Sequence, residues 1–202
     1  MKRPILVLTV LAATLVVASG AALAVTKVGG PSNDGVLGTE GPDDLAGGLG
    51  SDSISGLGGN DVMWGGLLRP RPGEFPPPEV GPNNDDFMSG GSDNDFMTGD
   101  MGSDTIVGGT GNDMLFDGEE AGGASDVLIG GPGNDVLVPL NDPPAGQDLI
   151  VCGAGTDVAH VDRSDVVVDC ERVLFRDATE TEFEQYLAQR GLLERILGAI
   201  PS

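Results

Sequence analysis

The sequence predicts an all-β solenoid of stacked nonapeptide units, and three observations carry that reading. Residues 47–55 read GGLGSDSIS, and variants at 56–64, 108–116 and 130–138 keep its Gly and Asp places. Asp recurs in phase at Asp34, Asp43, Asp52 and Asp61, again at Asp86, Asp95, Asp104 and Asp113, and after a second slip at Asp126, Asp135, Asp148 and Asp157. Two places after each Asp the chain is apolar: Val36, Leu45, Ile54, Met63, Met88, Met97, Ile106, Leu115, Leu128, Leu137, Ile150 and Ala159. A turn column and a core column kept in register this long mark an ordered repeat.

Composition fits a thin core. There are 34 Gly and 14 Pro, and only 4% of residues are aromatic, so a conventional globular interior is not expected. Acidic residues outnumber basic ones 32 to 10, a formal charge of −22. Such a chain repels nucleic acid and attracts multivalent cations.

In chain order, residues 1–24 have the layout of an export signal: Lys2 and Arg3, an apolar run from Ile5 to Val17, then small residues ending in Ala22-Leu23-Ala24. Cleavage is expected after Ala24. No second apolar stretch is long enough to span a bilayer, so the mature chain is expected to be extracellular and without a membrane span. The repeat domain is assigned to 25–173, with 25–28 as a lead-in and 29–37 as a degenerate first unit. A proline-rich excursion interrupts it, assigned as a loop insertion at 67–80, because Pro cannot serve an inner strand. Four-residue slips at 117–120 and 139–142 belong on loops, since the phase recovers after each. Past His160, read as a surface residue, the Gly places vanish while Val168 keeps the core phase. Residues 174–202 are assigned to an amphipathic capping helix: Phe183, Tyr186, Leu187, Leu193, Ile196 and Leu197 fall near helical spacing, with Thr179 or Thr181 as caps. Such a helix would cover the open end of a solenoid.

Cys152 and Cys170 are the two cysteines, separated by two nonapeptides. If two units make one coil, they lie on adjacent coils about 4.8 Å apart. That separation suits a disulfide, which an exported chain favours.

Each unit divides into a Gly-rich turn ending in Asp and a short strand with one inward aliphatic side chain. The glycines permit positive φ and bring carbonyls toward a common centre, and the Asp adds anionic oxygen. Calcium takes six to eight such oxygens, whereas transition metals want His or Cys. The expected partner is therefore Ca2+, several ions per chain. Asp residues on adjacent coils would repel by about 1–3 kcal/mol per pair without a cation, which makes folding conditional on calcium. The pairs with uninterrupted eighteen-residue spacing are Asp34/Asp52, Asp43/Asp61, Asp86/Asp104 and Asp95/Asp113. Asp113/Asp135 and Asp135/Asp157 qualify if the slips bulge outward. Asp117, Glu119 and Glu120 read as solvated loop charges.

Over about residues 29–160 the units closely resemble the RTX, or haemolysin-type calcium-binding, nonapeptide G-G-x-G-x-D-x-U-x. The resemblance implies a parallel β-roll with calcium between successive turns, held by the twelve in-phase Asp residues. Two features depart from many members: the amino-terminal signal, and the lack of a visible effector domain. An enzyme is not expected, since one His cannot make an H-E-x-x-H site and no Ser sits in G-x-S-x-G. The expected function is an exported calcium-binding protein that couples Ca2+ to folding. The alternative is a surface-associated structural or adhesive scaffold rigidified by calcium, with its protein partner unspecified.

Overall fold

A computed structural model describes residues 24–66, 84–118, 124–139 and 146–175. These form fifteen strands in two parallel sheets, one of eight strands and one of seven. Successive strands alternate between the sheets, so the odd strands β1 (Thr26–Val28) to β15 (Arg172–Phe175) make the first sheet, and the even strands β2 (Gly35–Leu37) to β14 (Val166–Val168) make the second. This is a parallel β-roll. The expected export signal, the excursion at 67–80 and the expected helix at 177–197 lie outside the described residues. No helix among the described residues is long and apolar enough to cross a membrane.

The twelve apolar residues placed two after each Asp all lie in one continuous core between the sheets. Period-two alternation explains the line: in β4 (Ser53–Gly58) Ile54, Gly56 and Gly58 point inward while Ser53 and Leu57 face out. Leu45, Ile54, Met63, Met88, Met97, Ile106, Leu115, Leu128, Leu137 and Ile150 stack in two facing rows, all fully buried.

The stack is unbroken. β4 pairs with β6 (Phe87–Ser92), and β5 (Val62–Trp64) with β7 (Phe96–Thr98), so the coils close across the proline-rich excursion as if it were absent. The 25–28 lead-in holds the first strand of its sheet. Two sequence expectations are corrected here. The core position in β14 is Val167, which pairs with Ile150, while Val168 is 37% exposed. That coil is one residue short, and Val167 stands two places after Asp165 rather than on the nonapeptide count from Asp157. His160 is buried rather than superficial, because it continues an outer ladder of the eight-stranded sheet and pairs with Leu174.

The two cysteines form a disulfide, with Cα atoms 5.1 Å apart. It ties β12 (Leu149–Gly155) to the turn after β14, on adjacent coils.

Candidate metal centre

The turns fall into two columns, one along each edge of the roll. In the first, the main-chain N–H of each Asp donates to Oδ1 of the Asp on the next coil: Asp34 to Asp52 at 2.7 Å, Asp52 to Asp86 at 2.7 Å, Asp86 to Asp104 at 2.7 Å, Asp104 to Asp126 at 2.7 Å and Asp126 to Asp148 at 2.9 Å. In the second, Asp43 donates to Asp61, Asp61 to Asp95, Asp95 to Asp113 and Asp113 to Asp135, each at 2.9 Å, and Asp135 to Asp157 at 2.8 Å. All twelve in-phase Asp residues belong to one column or the other. Their pairing crosses the excursion and both slips, so Asp52/Asp86 and Asp61/Asp95 are neighbours that even spacing conceals.

One carboxylate oxygen is thus used by the fold, and the second faces the coil interior. At Gly38, Gly56, Gly90, Gly99, Gly108 and Gly130 a Cβ would collide with Oδ2 of the Asp five residues on and with a main-chain carbonyl oxygen of the next coil. Only hydrogen fits there, and the space is oxygen-rich. Oδ2 of Asp52, Asp61, Asp95, Asp135 and Asp157 is buried with no hydrogen-bond partner. The first coil differs, since Gly30 N–H donates to Asp34 Oδ2 at 2.6 Å and Thr39 N–H to Asp43 Oδ2 at 2.5 Å. In later turns the second place takes positive φ, as at Gly48, Leu57, Gly91, Asp100 and Gly109, so that local bond is lost.

Burying anionic oxygen without a counter-charge is costly and favours the protonated form. Desolvation raises the carboxyls of Asp61 to about 6, of Asp86, Asp135 and Asp148 to about 7 and of Asp95 to about 8. Neighbours in the column add to it: Asp113 and Asp61 flank Asp95, and Asp113 and Asp157 flank Asp135.

Three residues outside the twelve join the columns. Asp165 accepts from Asp148 N–H at 3.3 Å, and Glu171 accepts from Asp157 N–H at 2.8 Å, so each column ends on a further carboxylate. The rule that the core residue follows two after the acid would have found both, through Val167 and Val173. Asp117 is corrected from solvated loop charge to buried residue. It stands at the first place of a turn, where its carbonyl faces Gly99 as that of Gly56 faces Gly38. Its side chain meets Asp126 and Asp148, with one carboxylate oxygen from each lying within 4.8 Å of the others.

A second ladder was missed altogether. Asn94 N–H donates to Asn60 Oδ1 at 2.9 Å, Asn112 to Asn94 at 2.7 Å and Asn134 to Asn112 at 2.9 Å. It runs outside the Asp column and in the opposite sense. The recurring Asn-Asp dipeptide was its signal.

A chain of turns offering carboxylate and carbonyl oxygen, with no nitrogen or sulfur donor, suits a hard cation of flexible coordination. The RTX calcium-binding nonapeptide repeat, four copies, matches residues 37–67, 81–115 and 120–138. The chain is an RTX-type repeat protein. Its roll extends beyond the matched RTX residues at both ends, to β1 and to β15. No curated protein and no solved structure matches the chain.

Proposed function

We propose that this RTX protein is an exported calcium-binding module whose two turn columns take up several Ca2+ ions and so complete its fold. The row of buried Oδ2 atoms without hydrogen-bond partners carries this reading. Asp52, Asp61, Asp86, Asp95, Asp104, Asp113, Asp126, Asp135, Asp148 and Asp157 supply the anionic oxygens, joined by Asp117, Asp165 and Glu171. Asp34, Asp43 and Asp86 contribute less, because local N–H groups already hold their second oxygen, that of Asp86 through the Asn84 side chain. Calcium would supply positive charge between turns, and the chain's own part is to present oxygens at fixed spacing and to exclude water from the coil interior. The layout of residues 1–24 supports export.

Calcium titration followed by far-ultraviolet circular dichroism and calorimetry tests the proposal. The expected result is a saturable gain in β structure with heat of binding, and a weaker response to magnesium. Complete β structure in chelator with no binding heat would overturn it.

A second reading, a display scaffold rigidified by calcium, is favoured by the outer face of the seven-stranded sheet. There Phe87, Leu149 and Val166 are 38–48% exposed along one ladder, and Val168 is exposed on the next. Substituting Leu149 and Val166 by Ser would abolish partner binding on that reading and leave calcium binding unchanged.

A further inference from the structure

The second column begins ahead of its first Asp. Val25 stands eighteen residues before Asp43, the same step that separates Asp43 from Asp61, so it holds the Asp place of the coil before. It makes both main-chain contacts of that place. Its N–H donates to Asp43 Oδ1 at 2.7 Å and its carbonyl accepts from Asp44 N–H at 2.8 Å, as Asp34 donates to Asp52 Oδ1 and accepts from Ser53 N–H. The Val25 side chain packs against the main core. Val has no carboxylate to receive a donor from further upstream, so the ladder ends on this nitrogen.

Asp43 is 3% exposed, and Thr39 N–H and Thr39 Oγ1 donate to the same carboxylate that accepts from Val25. A carboxylate so buried calls for a counter-charge as well as hydrogen bonds. On the other side of the Val25 nitrogen, Ala24 is exposed. The small residues Ala22-Leu23-Ala24 put the expected cleavage at this same Ala24–Val25 bond. Leader composition and roll register therefore meet at one nitrogen.

We propose that the mature chain begins at Val25 and that its α-ammonium group forms an ion pair with Asp43, closing the amino-terminal end of the second column. The proposal rests on the export reading of residues 1–24. Hydrolysis of the Ala24–Val25 bond by a signal-cleaving peptidase consumes one water, leaves a carboxylate on Ala24 and gives Val25 an amino group, which takes up a proton at neutral pH. A neutral donor becomes a charged one at the position it already holds. The other donors of the two columns are neutral main-chain amides, so processing supplies a cation from the chain itself. The first column has no counterpart. Eighteen residues before Asp34 is Val16, inside the expected signal.

Urea denaturation in saturating calcium compares a mature chain that begins at Val25 with one that begins at Ala24, where the ammonium is displaced by one residue. The Val25 chain should unfold with an equilibrium constant about tenfold smaller, the margin of a charge-assisted over a neutral hydrogen bond. Asp43→Asn should erase that margin and Asp34→Asn should preserve it. Equal stability of the two chains, or a margin that survives Asp43→Asn, overturns the proposal. A second measurement needs no variant: an amine-acylating reagent read by mass spectrometry should modify the Val25 amino group several-fold more slowly in the calcium-loaded roll than in urea. Equal rates overturn the ion pair. Protein recovered outside the cells that make it should have the intact mass of residues 25–202. Export with that start but without coupling to Asp43 defeats the ion pair and leaves the export reading standing. A chain retained with residues 1–24 attached defeats the export reading, and the processing step with it.

Discussion

Asp95 sits between Asp61 and Asp113 with its second carboxylate oxygen buried, and desolvation pushes its carboxyl up to about 8. A carboxyl whose pKa is raised by folding adds stability that is fully present below its unfolded value near 4 and is lost as pH rises through the folded value. With Asp61 at about 6 and Asp86, Asp135 and Asp148 at about 7, the metal-free roll loses this stabilisation progressively between about pH 4 and 8. In chelator, the melting temperature should therefore be higher at pH 5 than at pH 8.5, and the gap should survive high salt, which screens surface charge but not buried oxygen. Equal melting at both pH values would show that the columns carry no protonation penalty. Asp95→Asn keeps an acceptor for Asp61 N–H and removes the anionic oxygen. It should weaken calcium binding while making the chelated form more stable, and a calorimetric titration paired with urea denaturation reads both. Leu57 stands at φ 81° where the sister turns at Gly48, Gly91 and Gly109 have Gly. Leu57→Gly relieves a left-handed conformation at some cost in chain entropy, for a net gain of up to about 1 kcal/mol in the urea midpoint. At this scale the sequence was legible where phase alone decides position, as for the twelve Asp residues. Asp117 and His160 were not legible because their surroundings come from neighbouring coils, remote along the chain.

The coil is the element of this molecule, and its two hydrogen-bonded ladders run in opposite senses, Asp to the next coil and Asn to the previous one. Together they stitch the turns before any ion is considered. Insertions enter only on the first column, between Gly65 and Asp86, Asp117 and Asp126, and Pro139 and Asp148, so the second column's turns keep one length from Gly90 to Asp135. Deleting residues 67–82 should accordingly leave the β-sheet spectrum and the calcium isotherm unchanged, because β4 already pairs with β6 across that gap. Loss of calcium binding in the deletion would mean that the excursion supplies ligands. The disulfide serves the opposite end. It closes an eighteen-residue loop across the last coils, and in the chain-entropy account its removal by Cys152→Ser with Cys170→Ser costs about 3 kcal/mol. Chemical denaturation in saturating calcium measures that loss, and an unchanged midpoint would show that bound ions hold those coils unaided. Pairing across the excursion was not legible, since spacing counts residues and the sheet counts coils. The shortened final coil hid Val167 for the same reason.

For the whole molecule, a formal charge of −22 and a core one side chain deep per strand set the balance. Repulsion along two carboxylate columns opposes a modest apolar gain, and cations or protons on the columns tip it toward the roll. A second apolar cluster adds burial on the outer face of the eight-stranded sheet. Its existence followed from no periodic signal, because Val136, Val138 and Val158 belong to strand places where a repeat of this kind tolerates polar residues equally well. By itself, the sequence determined the repeat, the parallel roll, the oxygen donors and the cysteine pair, because each is written in local spacing of Gly, Asp and aliphatic residues. Only the tertiary structure decided which carboxylates are neighbours, which oxygens are left unbonded and which sheet carries a second apolar cluster. Those depend on how far each coil runs before it returns and on which strands it brings side by side, neither of which a nine-residue frame records.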